Sequence, residues 1–253
     1  MIDTHCHLDR CSDLAQALDH DLAAVITVAT DHARLAPVLR LASDDERTFA
    51  VVGIHPNEAH EASDPQAVAA VEAALDHPRV VGVGETGIDL YWERVPLEQQ
   101  LASFRWQAGL ARARDLPLVL HVRDPQGDDD PASRVTASTL LELGHARGVL
   151  HCTNGNPGLL EAALGLGWYV SFAGNLTYPK ATAVRAAAVS VPEDRLLVET
   201  DAPYLAPVPR RGRPNVPLNV RHTATELARL RGLDATDLER RLDANARALF
   251  RLP

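Results

Sequence analysis

Two histidines one residue apart stand near the start of the chain, in Ile2-Asp3-Thr4-His5-Cys6-His7-Leu8-Asp9. On a strand successive side chains alternate faces, so His5 and His7 point the same way and offer half of a divalent-metal site. By itself such a pair is an ordinary feature of a strand that ends near solvent. Partners follow further along: Glu85, His121, His151 and Asp201 each close a short apolar run, and His55 follows another. The remaining six of the eleven histidines (His20, His32, His60, His77, His145 and His222) fall in segments that read as helix or loop. Four imidazoles and two carboxylates exceed what one zinc takes, because a catalytic zinc keeps one of about four positions open. The expected arrangement is binuclear, with His5, His7 and Asp201 on one ion, His121 and His151 on the other, and Glu85 giving one oxygen to each. Two ions about 3.5–4 Å apart can share a water, lower its pKa and clamp the attacking and leaving oxygens of a hydrolysis. Asp201, beside that water, is the expected general base, and the bridging Glu85 completes the catalytic pair. Mixed imidazole and carboxylate donors accept zinc, manganese, iron or, less comfortably, magnesium.

Other groups are expected to support this set. Glu199 lies two residues before Asp201 and shares its face one layer deeper, where a carboxylate can orient a ligating imidazole. Asp3 and Asp9 flank the first histidines. Positive charge collects in the same segments: Arg123 two residues after His121, Lys180 after the seventh run, and Arg210, Arg211, Arg213 and Arg221 after the eighth. Arginine and lysine beside a metal pair point to an anionic substrate, and a phosphate suits the guanidinium fork. His55, Arg123 and Lys180 are the expected substrate contacts.

The elements that must position these residues are legible as eight Val/Ile/Leu-rich runs between amphipathic stretches: Ile2 to Cys6, Ala23 to Ala29, Thr48 to Ile54, Val80 to Glu85, Leu116 to Val122, Val149 to Cys152, Trp168 to Phe172 and Leu196 to Asp201. Continuous apolar strands separated by helices imply a parallel sheet covered on both faces, and eight such units in 253 residues predict an α/β protein with a single-domain (β/α)8 TIM barrel. A doubly wound open sheet is the alternative. In a barrel the site forms at the C-terminal strand ends, where this chain places its histidines and carboxylates. Ser12 and Asp64-Pro65 read as helix starts, Thr236 and Glu239 have capping-box spacing, and Pro37 implies a kink or a later start in its helix. The loop Asp124 to Pro131, with Gly127-Asp128-Asp129-Asp130, reads as a solvated surface loop. No internal repeat, low-complexity segment or linker is visible.

Composition narrows the class. With 46% hydrophobic and 23% charged residues the chain reads as globular, and no apolar run is long enough to cross a bilayer. Nothing resembles a signal peptide, so a cytoplasmic protein is expected, with no membrane or obligate protein partner. Cys6, Cys11 and Cys152 lack C-x-x-C spacing and are expected to be reduced thiols, with Cys6 and Cys152 turned to the apolar side of their strands. A formal charge of −9 argues against coating nucleic acid with the whole surface, yet leaves room for a local basic rim.

Together the motifs resemble the TatD-type metal-dependent deoxyribonuclease family, a branch of the amidohydrolase-like barrels. The matching stretches span essentially the whole chain: residues 3–9, Gly53-Ile54-His55-Pro56, Gly84-Glu85-Thr86-Gly87-Ile88-Asp89, the trio Gln100, Phe104 and Gln107, Pro117 to Arg123, His151-Cys152, Glu199 to Leu205, and Arg211-Gly212-Arg213-Pro214-Asn215. The resemblance implies a divalent-metal hydrolase that cuts phosphodiester bonds in DNA ends or single strands, often from the 3′ end, with His5, His7, Glu85, His121, His151 and Asp201 as ligands. Asn57 stands where the family often has a second histidine, and Thr153-Asn154-Gly155 replaces a usual Phe-Ser-Gly after His-Cys, which bears on base stacking and leaving-group contacts. With 4% aromatic residues, stacking platforms are few, and Tyr91, Trp92, Tyr178 and Tyr204 lie just after strand ends. A hydrolase of the same fold acting on a small phosphoester, ester or amide, and a protein with a structural metal, remain open at this point.

Overall fold

The computed structural model describes residues 1–92, 94–127 and 129–253. Eight parallel strands run in sequence order around one sheet: β1 (Ile2–Cys6), β2 (Ala24–Ala29), β3 (Thr48–Val52), β4 (Val80–Asp89), β5 (Leu118–Arg123), β6 (Gly148–Leu150), β7 (Tyr169–Phe172) and β8 (Leu196–Val198). Hydrogen bonds between the segments at β1 and β8 bring the ends of the sheet together. The Asp201 N–H donates to the His5 carbonyl at 2.9 Å, the His7 N–H to the Ala202 carbonyl at 2.7 Å, and the Thr4 hydroxyl to the Val198 carbonyl at 2.9 Å. Asp3, wholly buried, adds a side-chain tie by accepting from the Thr200 N–H at 2.9 Å and the Thr200 hydroxyl at 2.6 Å. The architecture is the expected (β/α)8 barrel.

Helices α1 (Leu14–Leu18), α2 (His32–Asp44), α3 (Pro65–Ala74), α4 (Leu97–Arg114), α5 (Pro131–Leu143), α6 (Pro157–Gly165), α7 (Thr182–Ser190), α8 (Val220–Arg231) and α9 (Ala235–Phe250) lie among and after the strands. Asp13, Asp31, Asp64, Asn156 and Asp234 cap α1, α2, α3, α6 and α9 by accepting a backbone N–H of the first turn. Two starts therefore shift from expectation: Asp13 takes the place of Ser12, and Asp234 caps α9 ahead of Thr236. Pro37 lies inside α2, which begins at His32 without delay. Asp129 and Asp130 pair with Arg134, while Asp128 lies outside the described residues.

Apolar residues form two layers. One lies between the sheet and its helices and holds Val25, Val52, Leu118, Leu120 and Phe172 against Val38, Phe104, Leu140 and Leu227. The other draws Ile2, Ile26, Val51, Val119, Val149 and Leu197 from alternate strand positions and is joined by Leu249 and Phe250 at the end of α9. No helix of the described residues is long and apolar enough to cross a membrane.

Strand ends differ from the sequence reading in ways that matter for the site. β4 does not stop at Glu85; it continues to Asp89, pairing Gly87 with His121 and Asp89 with Arg123. Glu85 thus sits inside a strand, at a break in register between Gly84 and Thr86. Glycine is required on either side: Gly84 and Gly87 have φ of 142° and 131°, and a Cβ at Gly87 would lie 2.0 Å from the His121 carbonyl oxygen. β3, β6 and β8 stop early, at Val52, Leu150 and Val198, so His55, His151 and Asp201 stand on the segments that leave the strands.

Candidate metal centre

His5, His7, His121, His151 and Asp201, from four segments, gather around Glu85, which is 3% exposed. Its two oxygens face different groups. Oε2 lies 3.5 Å from His5 Nε2 and 3.8 Å from His7 Nε2, and Asp201 Oδ1 is 3.3 Å from the same His7 nitrogen. Oε1 lies 2.8 Å from His151 Nε2 and 3.0 Å from His121 Nδ1, two nitrogens themselves 3.3 Å apart. The donors therefore sort into two groups joined by one carboxylate.

The outer nitrogens are tied down, which fixes which inner nitrogen is presented. His151 Nδ1 is 3.1 Å from Glu199 Oε1, His121 Nε2 is 3.2 Å from Asp89 Oδ2, and His7 Nδ1 is 3.3 Å from the Val28 carbonyl. A neutral imidazole that donates outward leaves a lone pair on the inward nitrogen. His5 is different, because neither of its buried nitrogens has a hydrogen-bond partner. A buried imidazole without partners is costly, and a cation held by Nε2 removes that cost at one nitrogen. Together with the mixed nitrogen and oxygen donor set, this fits a divalent metal. Candidate metal-binding clusters include His5, His7 and Asp201, and also His5, His151 and Glu199.

Protonation follows the same contacts. Burial pushes the His5 imidazolium down, and the neighbouring charge of His151 pushes it further. For His7, His121 and His151 burial acts in the same direction but is outweighed by facing carboxylates, so all three are raised. Burial would raise Glu85 and Asp201, yet the surrounding imidazoles hold both below the ordinary carboxylate range. A cation would compete with protons for these nitrogens.

The chain matches the family described as TatD related DNase over residues 2–251. It belongs to that family. A Mycobacterium tuberculosis relative named "Uncharacterized metal-dependent hydrolase TatD" is 34% identical over 271 residues, covering 100% of this chain and 98% of its own. An Edwardsiella piscicida relative named "3'-5' ssDNA/RNA exonuclease TatD" is 35% identical over 246 residues, covering 94% of this chain and 92% of its own. The crystal structure of YjjV, a TatD homolog from Escherichia coli K12, shares the fold with a TM-score of 0.90 and 30% identity, covering 100% of this chain and 98% of that one. The protein is a metal-dependent hydrolase of the TatD type.

Around the TatD centre lies a cavity of about 750 Å³. His55 borders it with Nε2 3.8 Å from Glu85 Oε1. Its Nδ1 accepts the Asn57 N–H at 3.0 Å, so a neutral His55 carries its proton on Nε2 and faces the cavity as a donor. Burial, followed by the charge of His121, pushes its pKa down to about 3 and keeps it neutral. Arg123 also lines the cavity. Lys180 does not: it is exposed after β7 and is not among the lining residues. Arg211 stacks over Tyr178 at 4.1 Å, and Arg221 pairs with Asp21 at 2.8 Å.

Cys6 is buried among apolar residues as expected, but Cys152 lines the cavity. The reason is that β6 ends at Leu150 and the chain turns, with Cys152 at φ 42°, so strand alternation no longer sets its direction. Sequence reasoning also gave no individual role to Asp89. Its Oδ2 meets His121 and accepts from Asn57 Nδ2 at 3.1 Å, while its Oδ1 accepts the backbone N–H groups of Tyr91 and Trp92 at 2.9 and 3.2 Å. The available signal was its spacing of four from Glu85, which puts both on one strand face. Two buried glutamines of α4 hold the framework. Gln100 bonds both backbone groups of Asp89 at 2.8 and 3.1 Å, and Gln107 bonds both of Ile54 at 3.0 and 2.8 Å.

Proposed function

We propose that this protein is a two-metal nuclease that removes nucleotides from the 3′ end of single-stranded DNA. The observation that carries the reading is the division of labour at Glu85, whose Oε2 faces His5 and His7 and whose Oε1 faces His121 and His151. In this reading His5, His7, Asp201 and Glu85 would hold one ion, and His121 and His151, again with Glu85, would hold the second. When bound, the ions supply Lewis acidity toward a phosphoryl oxygen and a reactive water at neutral pH. The polarity and the single-stranded substrate are supported by the name of the Edwardsiella piscicida relative.

The remaining steps belong to the protein. Asp201, held ionised by His7 and His5 against the opposing effect of burial, takes the proton of the attacking water at its carboxylate. His55 donates its Nε2–H to a non-bridging phosphate oxygen, and Arg123 adds positive charge on the strand's approach. Glu199 and Asp89 keep His151 and His121 turned inward, so that no reorientation is required when substrate arrives.

The test is metal analysis of protein purified without chelator, combined with 3′-labelled single-stranded DNA incubated with and without divalent metal. About two ions per chain and metal-dependent release of labelled mononucleotide are expected. Fewer than one ion per chain, or turnover of small esters with silence on DNA, would overturn the reading.

A further inference from the structure

The lip of the cavity beyond β4 carries a feature that the chemistry above does not use. Trp92 leaves 50% of its surface in solvent, an unusual position for the largest apolar side chain in a protein with few aromatics. It is nevertheless held firmly. Its backbone N–H and that of Tyr91 are anchored on Asp89 Oδ1, and the Tyr91 ring meets it edge-on at 4.9 Å and 84°. Two guanidinium groups flank it: Arg94 lies 5.4 Å from the indole, and Arg123 lies 5.4 Å from the indole and 3.9 Å above the Tyr91 ring. Trp92, Arg94 and Arg123 line the same cavity as His121 and Asp201.

We propose that the exposed face of Trp92 is the stacking platform for an unpaired base of the substrate strand, with Arg94 and Arg123 holding the adjacent phosphates. The inference rests on the nucleic-acid reading above and adds where the strand is gripped. A molecule with net charge −9 has no overall field to attract a polyanion, so attraction must come from a local pairing of π-face and cation. Indole beside guanidinium is that pairing, and it accepts any base, because every base has a flat face. A base inside a duplex already has its faces covered, so the platform selects single strands. Tyr204, 47% exposed, also lines the cavity, but its ring lies 5.9 Å from His7, beside the reacting centre. β4 and β8 are four strands apart in a ring of eight, so the two aromatics follow strands on opposite sides. Trp92, flanked by cations on the β4 side of the cavity, reads a neighbouring nucleotide rather than the one being cleaved.

The experiment compares wild type, Trp92→Ala and Trp92→Phe on two probes with Mn²⁺ present: a short single-stranded oligothymidylate and an abasic oligomer of equal length with the same phosphates. Because Trp92 is half exposed, its replacement removes little buried contact. The ratio of kcat/KM on the base-bearing strand to that on the abasic strand should fall by roughly tenfold or more in Trp92→Ala, through KM, and recover in Trp92→Phe. Tryptophan fluorescence gives a second readout: oligothymidylate quenches wild type, the abasic strand does not, and the quench is lost in both variants. An unchanged ratio, or an equal loss on both probes, overturns the proposal. If wild type cleaves neither strand yet shows Trp92-dependent quenching by oligothymidylate alone, the platform stands and the nuclease reading falls. If it neither binds nor cleaves, both fall.

Discussion

At the scale of single residues, the centre separates groups that face the cavity from groups that aim them. Asp201 is in the first class. Asp201→Asn should keep the fold and lower kcat by at least about a hundredfold, since an amide cannot take a proton from water; a rate within about threefold of wild type would remove it as base. Glu199 is in the second class, holding the outer nitrogen of His151 at 3.1 Å. Glu199→Gln should weaken metal binding by about 10–100-fold, measured by competition with a chromogenic chelator, while saturating metal restores much of the rate. The imidazoles at the centre were legible in the sequence because their types are rare at the ends of apolar runs. Asp89 was not, because its importance depends on how far β4 continues, and that is set by register against β5. Cys152 was misdirected for a related reason, since alternation holds only while the strand lasts, and β6 lasts three residues.

At the scale of elements, the barrel is clear in the sequence because both faces of the strands are covered, so β2, β3, β6 and β8 read as nearly continuous apolar runs. Strand ends were harder to read, because donors just past a strand look like its last residues. The role of α4 was invisible to hydrophobic pattern altogether: Gln100 and Gln107 are polar yet fully buried, spent on the backbone of Asp89 and Ile54. The seam between β1 and β8 rests partly on one side chain. Replacing Asp3 by alanine leaves the Thr200 N–H and hydroxyl buried without acceptors. Urea unfolding should show a loss of roughly 2–4 kcal/mol, with metal affinity falling as well, because the same seam carries His5 and Asp201.

At the scale of the whole molecule, helices on the outside of the barrel are joined by ion pairs whose strength depends on pH. Glu226 is pulled to about 2 from its ordinary 4.5, first by the hydrogen bond from Arg229 and also by Arg185, which lies at 2.6 Å and belongs to the preceding helix. A carboxylate depressed on folding adds stability that is complete above the unfolded pKa and disappears as pH falls toward the folded one. The stability gap between wild type and Glu226→Gln should therefore be widest near neutrality and shrink between about pH 4.5 and about pH 2, as followed by denaturant melts at each pH. Asp89 has a different long-range consequence. One oxygen lies against His121 of the candidate metal centre and the other anchors the turn bearing the indole, so on the proposed reading Asp89 is the residue through which nucleic acid and cation would act as heterotropic effectors of one another. Thermodynamic reciprocity then requires that whatever factor a non-cleavable oligonucleotide adds to cation affinity, the cation adds to oligonucleotide affinity, and Asp89→Ala should bring that shared factor toward one.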